Sequence, residues 1–203
     1  MLDFSYEQAC IDAGYVSVCG IDEAGRGPLA GNVVAAAVIM PVGLVIDGLN
    51  DSKKLSPKKR EKLYDIITKE TIWAVGEATP AEIDEHNILG ATMIAMHRAV
   101  DGLPKKADFA LIDGNCSRGF DIPTRTVVSG DAKVPSIAAA SIIAKVTRDR
   151  ECEELDRKYP EYGFAKHKGY PTSDHMKKVV EIGPCPEHRK SFLSFVDKVK
   201  NDG

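Results

Sequence analysis

The chain has 203 residues, 43% hydrophobic, 28% charged and 6% aromatic, which is enough apolar material for one full-sized core and predicts a single domain over 1–203. That composition excludes disordered, collagen-like and disulfide-scaffold classes. Its 27 basic and 30 acidic residues give a net charge of -3, which argues against a globally basic, histone-like protein. It leaves room for a nucleic-acid enzyme that gathers acids at one site and bases on one face.

The start, MLDFSYEQACID, lacks the basic residues and apolar run of a signal peptide. The longest uninterrupted apolar run, Val33 to Met40, is far short of the roughly 20 residues a membrane span needs. Cys10, Cys19, Cys116, Cys152 and Cys185 never fall into the paired spacing of a structural zinc site and read as reduced thiols. A cytoplasmic protein with no membrane partner is expected.

In chain order, Tyr15 to Ala24 and Asn32 to Met40 read as strands joined by the turn Gly25-Arg-Gly-Pro-Leu-Ala-Gly31, a hairpin at the centre of a sheet. Ser56-Pro57 opens a helix, with Ser as N-cap and Pro at the first helical position, and Leu63, Ile66 and Ile67 form its apolar face. Thr71 to Ala78 is the next strand. Leu89, Met93, Met96 and Val100 recur at helical spacing as a core-facing stripe. Ala107 to Ile112 is a strand that stops at Asp113-Gly114, Thr126 to Val128 is a short one, and Pro135 to about Lys158 is a long, initially alanine-rich helix. After about residue 163 the chain becomes more basic and reads as a C-terminal helical lobe. Strands and helices mix along the chain, so the fold class is α/β.

Three acidic spots follow strand-like runs and adjoin glycines: Asp22-Glu23, Asp113 and Gly130-Asp131. Sheets of this class expose their sites at strand ends. Carboxylates there reach water, pair with bases or hold a hard cation such as magnesium or manganese. Neighbours on a regular strand point to opposite faces, so Asp22 and Glu23 share one cation only if a bulge re-aims a side chain or a backbone carbonyl serves as ligand. The spacing of Gly25, Gly27 and Gly31 is not that of a dinucleotide loop, and no Gly-Lys-Ser/Thr appears. What remains is a turn whose amides can approach a ligand closely, with Arg26 able to meet a phosphate. Six bases fall between Lys53 and Lys62, as a solvated helix face or as phosphate contacts. Lys145, Arg148 and Arg150 add bases on the long helix, within reach of Asp149 and Glu151. Tyr170 sits among bases and beside Pro171, where a ring can pack in a core or stack on a sugar or base.

Gly20-Ile-Asp-Glu-Ala-Gly-Arg-Gly-Pro-Leu-Ala-Gly31, Asp51-Ser-Lys-Lys-Leu-Ser56, Leu111-Ile-Asp-Gly-Asn115, Gly130-Asp-Ala-Lys-Val-Pro135, Ala139-Ala-Ser-Ile-Ile-Ala-Lys-Val-Thr-Arg-Asp149 and His167-Lys-Gly-Tyr-Pro-Thr172 together resemble bacterial ribonuclease HII, in order, from about residue 15 to 195. The resemblance implies a ribonuclease H-like fold, a mixed central sheet flanked by helices. It implies a metal-dependent endonuclease that hydrolyses the RNA strand of RNA/DNA hybrids and nicks 5′ of ribonucleotides embedded in duplex DNA. By the same resemblance Asp22, Glu23, Asp113 and Asp131 are the catalytic acids and hold two divalent cations, Mg2+ or Mn2+, with Asp22 bridging. Gly25, Arg26 and Gly27 grip the ribonucleotide, and Tyr170 packs at the junction. Lys53 and Lys54 are expected on substrate phosphates. The sister group, ribonuclease HIII, has lysine where Arg26 stands. A monomer is expected, with no clear C-terminal clamp-binding motif.

The residues alone leave three rivals. A metal-independent ribonuclease would work through histidines, but His86, His97, His167, His175 and His188 show no convergent pattern in the sequence. A small-molecule phosphatase would not need the Lys53 to Lys62 bases or Tyr170. A non-catalytic ribonuclease H-like binding protein would not need all four acids.

Overall fold

A computed structural model describes residues 2–196. At its centre, β1 (Val18–Ala24) pairs antiparallel with β2 (Val33–Ile39), and β2 pairs antiparallel with β3 (Ile72–Ala78). On its other edge β1 pairs parallel with β4 (Phe109–Asp113), which pairs parallel with β5 (Thr124–Val127). The order is β3-β2-β1-β4-β5, so the expected hairpin does contain the central strand. Both inner strands are buried on both faces, which is why they read as continuous apolar runs without alternation.

Side-chain parity divides the sheet between two helical layers. Cys19, Ile21, Ala35, Ala37 and Ile112 pack with Ala91, Ala95 and Met96 of α3 (Pro80–Asp101). Ala36 and Val38 pack with Leu63 and Ile67 of α2 (Pro57–Glu70) and with Ala139 and Ile143 of α4 (Pro135–Lys158). The Ser56 cap and Pro57 start of α2 are as expected. α4 lies directly on β1. A Cβ at Gly20 would stand 2.4 Å from Ile137 N, so only glycine admits the helix at this distance. No side chain of Val134 caps α4. Buried Glu7, from α1 (Ser5–Asp12), does so from a distance: its Oε1 accepts from Ser136 N at 3.1 Å and Oγ at 2.8 Å.

The stripe expected over Leu89 to Val100 is correct for Met93 and Met96, which are buried, whereas Leu89 is 38% exposed. The cause is local. Asn87 has φ 58° and breaks α3 in two, and its Oδ1 accepts from Leu89 N and Gly90 N as the cap of the second half. Leu89 therefore stands in a first turn, off the packed face.

The C-terminal lobe contains α5 (Phe164–His167), α6 (Ser173–Ile182) and a 3-10 turn at Lys190–Phe192. Its apolar core is Tyr162, Phe164, Val179 and Leu193 packed on Leu29 and Ala30 of the glycine turn. Leu29 N donates to Gly169 O, Gly31 N to Glu187 O and Arg189 N to Leu29 O, so lobe and turn are stitched through backbone. Lys198, Lys200 and the extreme C-terminus lie outside the described residues. Among the described residues no helix is long and apolar enough to cross a membrane.

Candidate active site

The β1/β4 ladder ends at Ile21 with Ile112. One step further, Asp22 and Asp113 stand side by side on the face that Gly20 and Leu111 turn to α4. Asp131 approaches the same face from a 3-10 turn, Gly130–Ala132, that leads into α4. Gly130 N donates to Asp113 Oδ1 at 2.7 Å and joins that turn to the strand end. Asp22 is only 4% exposed, and its Oδ1 accepts from Glu23 N at 2.7 Å. Pairing runs unbroken through Asp22 with Ala36 and Glu23 with Ala35, so the bulge considered from sequence is not there. Glu23 leaves from the opposite face, where Arg26 Nη1 lies 3.2 Å from its Oε1.

Burial, then the charges of Glu23 and Asp113, hold the Asp22 carboxyl well above the ordinary range. Burial likewise raises Glu23, against the opposing pull of Arg26. It raises Asp131 too, with Asp113 and Asp51 adding to the effect and Lys53 opposing it. Asp51 is a fifth acid that pattern reading passed over. Its only local signal is its place at the head of the Asp51-Ser-Lys-Lys segment, where its side chain caps a 3-10 turn by accepting from Lys53 N.

Every donor in this cluster is oxygen, which suits a hard divalent cation. Among the described residues no group of three His, Cys, Asp or Glu side chains is already arranged to hold one. The acids are held by Glu23 N, Gly130 N, Arg26 and Lys53 instead. The donor chemistry fits; a finished coordination shell does not pre-exist.

Of the basic run, Lys53 faces the acids, with Nζ 3.9 Å from Asp131 Oδ2, and Lys54 lies 3.7 Å from Asp51. Burial pulls the Lys53 ammonium down, but Asp22, Asp131, Asp51 and Asp113 outweigh it and the net shift is upward. Arg60 turns inward and donates to the carbonyls of Ser52 and Leu55. On α4, Lys145 makes the local ion pair with Asp149, while Arg150 reaches across to Glu61 on α2.

Arg148 does neither. It and Arg189 are 1% and 0% exposed, and together they gather the carbonyls of the glycine turn. Arg189 donates to Gly25 O, Arg26 O, Pro28 O, Gly31 O and Asn32 O at 2.6 to 3.2 Å. Arg148 donates to Ala30 O, Asn32 O and Lys168 O. Burial, then the neighbouring Arg148 charge, pulls Arg189 down to about 9, still a cation at neutral pH. Gly25 has φ +95°, and a Cβ there would lie 2.0 Å from Arg148 Nε, so the clamp demands glycine on both counts. With its carbonyls drawn inward, the turn leaves the amides of Gly25, Arg26 and Gly27 without a backbone acceptor among the described residues. Nothing local in the sequence marks Arg189 as a partner of a turn more than 150 residues away.

Tyr170 is 43% exposed, and its Cε1 would be 3.5 Å from a Cβ on Gly27. The ring and the Gly25–Gly27 turn therefore adjoin. Three of the five histidines do converge, contrary to the sequence reading, while His86 and His97 lie apart, beside Glu85 and Phe120. His167, His175 and His188 form one buried cluster in the C-terminal lobe, and among the described residues none of its hydrogen bonds goes to a carboxylate. The five cysteines are free; Cys116 and Cys185 are only partly buried.

The family model for Ribonuclease HII matches residues 19–195. Ribonuclease HII of Vibrio parahaemolyticus is 55% identical over 190 residues, covering 93% of this chain and 88% of that one. The crystal structure of ribonuclease H2 from Pyrococcus horikoshii superposes with a TM-score of 0.75 at 28% identity, over 93% of this chain and all of that one. Bst-RNase HIII in complex with Mn2+, at 18% identity and a TM-score of 0.67 over 96% of this chain and 73% of that one, shares the fold. The mixed five-stranded sheet flanked by helices is thus the ribonuclease H-like fold. With the match running through every segment that shapes the strand-end acids and the glycine turn, the chain belongs to the ribonuclease HII family of endonucleases, which hydrolyse RNA in RNA/DNA hybrids.

Proposed function

We propose that the protein nicks the phosphodiester 5′ of a ribonucleotide embedded in duplex DNA, besides cutting RNA/DNA hybrids, and leaves 3′-hydroxyl and 5′-phosphate ends. The observation that supports this reading is the adjacency of three features: the Asp22, Glu23, Asp113 and Asp131 carboxylates, the Gly25–Gly27 turn that follows Asp22 and Glu23 on the chain, and the exposed Tyr170 against Gly27.

In this reading Asp22, Glu23, Asp113 and Asp131 hold two divalent cations, Mg2+ or Mn2+. When bound, the cations activate the attacking water and stabilise charge on the leaving 3′ oxygen. Burial raises Asp22, Glu23 and Asp131, with neighbouring carboxylates adding to it, and a cation favours the ionised acids against both effects. Free amides at Gly25, Arg26 and Gly27 approach the sugar and its 2′-hydroxyl, the group that differs between RNA and DNA. Arg26 takes the adjacent phosphate, at the expense of its pairing with Glu23. Tyr170 packs on the neighbouring deoxyribose, where a hydroxylated sugar is crowded. Lys53 and Lys54 swing from their carboxylate partners to backbone phosphates. The enzyme acts as a cytoplasmic monomer built on one catalytic domain.

The test is cleavage of a duplex with a single ribonucleotide, mapped at nucleotide resolution in magnesium, in manganese and in excess chelator. The expected product is one nick 5′ of the ribonucleotide, with a 3′-hydroxyl, in either metal and none in chelator. A cyclic phosphate end, or undiminished cleavage in chelator, overturns the metal-ion mechanism.

A further inference from the structure

Two of the three clustered histidines, His188 and His175, form a hydrogen-bonded chain with fixed ends. Cys185 N donates to His188 Nδ1 at 3.0 Å, His188 Nε2 lies 3.0 Å from His175 Nε2, and His175 Nδ1 lies 2.9 Å from Tyr170 O. A backbone N–H only donates and a carbonyl only accepts, so the two ends assign every proton between them. His188 Nδ1 must be bare, so its proton is on Nε2 and points at His175. His175 Nε2 must then be bare, and its proton is on Nδ1 and points at Tyr170. The Cys185 thiol, 3.1 Å from His188 Nδ1, adds a second donor at the head of the chain. Both imidazoles are neutral in this arrangement, because an extra proton on either would face another hydrogen.

We propose that Cys185, His188 and His175 are a one-way hydrogen-bond relay that fixes the backbone of Tyr170, and that His175 and His188 are positioning residues for the ring Tyr170 presents to nucleic acid. The inference rests on the reading of Tyr170 given above.

The surroundings of Tyr170 support it. Tyr170 O also accepts from Thr172 N at 2.8 Å, and Tyr170 N donates to His167 O at 2.9 Å. The preceding residue is held as firmly: Gly169 O accepts from Leu29 N, and Gly169 N donates to His167 Nδ1 at 3.2 Å. His167 in turn reaches Tyr162 O through Nε2 at 2.8 Å, and its ring stacks on His175 with centroids 4.2 Å apart. Every backbone polar atom of residues 169 and 170 is therefore occupied, yet Tyr170 remains 43% exposed. That much constraint on an exposed aromatic is spent on aiming it, since burial does not require it. His188 is the distal part of the device. Without its donor, His175 Nε2 is an unsatisfied buried acceptor, and the ring is free to flip and withdraw the proton from Tyr170 O.

The experiment compares the full-length enzyme with His188→Leu, His188→Gln and Tyr170→Ala. It measures single-turnover cleavage of a one-ribonucleotide duplex and of a long RNA/DNA hybrid, with imidazole 15N spectra of the wild type. The relay requires a proton on Nδ1 of His175 and on Nε2 of His188. It requires His188→Leu to lower the junction-to-hybrid rate ratio by about 5- to 10-fold, the usual worth of a buried hydrogen bond. His188→Gln, whose amide stands where Nε2–H stood, should restore most of the ratio. Opposite tautomers in the wild type overturn the relay, as does an unchanged ratio in a folded His188→Leu beside a lowered one in Tyr170→Ala. If Tyr170→Ala itself keeps the wild-type ratio, the reading of Tyr170 fails and the role of the relay falls with it. Should His188→Leu not fold, the wild-type tautomers and the His188→Gln ratio decide the matter.

Discussion

Asp113 combines two tasks at one side chain: its Oδ1 accepts from Gly130 N and holds the Asp131 turn, and its charge raises Asp22, Glu23 and Asp131. Asn keeps the acceptor and loses the charge. Asp113→Asn should therefore lower cleavage by about 100-fold or more, the several kcal/mol a cation site supplies. In metal-free buffer its melting temperature should hold or rise, because a source of repulsion is gone. Near-normal cleavage, or a clear loss of apo stability, contradicts these assignments. Lys53 and Lys54 give a second residue-level test. If they reach phosphates, replacing both with alanine should weaken binding to every sequence and flatten the salt dependence by a slope of roughly 1 per contact, with the nick position unmoved. An unchanged slope would leave them as counter-charges to Asp131 and Asp51, the partners they have here. At this scale the sequence was legible where chemistry is local. Asp22, Glu23 and Asp113 were placed at strand ends and are there, Asp131 sits instead in a 3-10 turn, and Ser56-Pro57 marks its own helix. Arg148, Arg189, Asp51 and the histidine cluster owe their roles to contacts across the fold, which no spacing reports.

At the scale of elements, the glycine turn owes its shape to two side chains from elsewhere. Arg189→Met should leave the carbonyls of Gly25, Arg26 and Pro28 without their guanidinium partner and cost about 3 kcal/mol or more in unfolding experiments. Arg189→Lys should recover only part of this, since an ammonium lacks the planar five-donor fork. Full stability in Arg189→Met would show that the turn holds itself. The strands and long helices were read correctly because their signals are periodic or capping signals. Of α3 only the stripe from Leu89 to Val100 was read; its first half and the break at Asn87 carry no periodic signal, and the break shows only in the φ of Asn87. The regular pairing through Asp22 and Glu23 could not be foreseen either, since bulged and regular strands share one residue pattern.

At the scale of the whole molecule, buried His188 and half-buried Glu151, both away from the strand-end acids, set opposite arms of the pH–stability profile. Burial, then the neighbouring His175, lowers His188 from 6.5 to about 4. The unfolded chain thus binds a proton that the fold refuses, and this stability is present above pH 6.5 and lost as pH falls toward 4. Glu151, on α4, is raised from 4.5 to about 8 by burial and by a hydrogen bond to Glu77 and its charge. Here the fold holds the proton more tightly, so the contribution is greatest below pH 4.5 and is lost as pH rises through 8. Melting temperatures across pH 4 to 9 should show both arms, and Glu151→Gln, which mimics the protonated acid, should flatten the alkaline one alone. An unaltered alkaline arm in that variant would remove Glu151 as its cause.

The sheet end and the C-terminal lobe meet where Tyr170 adjoins Gly27, and in the proposed function that meeting is where one ribonucleotide is told from its deoxy neighbours. The most direct measurement is the rate of Tyr170→Ala on a duplex with one embedded ribonucleotide against its rate on a long RNA/DNA hybrid. An aromatic contact is worth about 1 to 3 kcal/mol, so the junction substrate should slow roughly 5- to 150-fold, and the hybrid much less. Equal losses on both substrates, or none on either, would contradict the account.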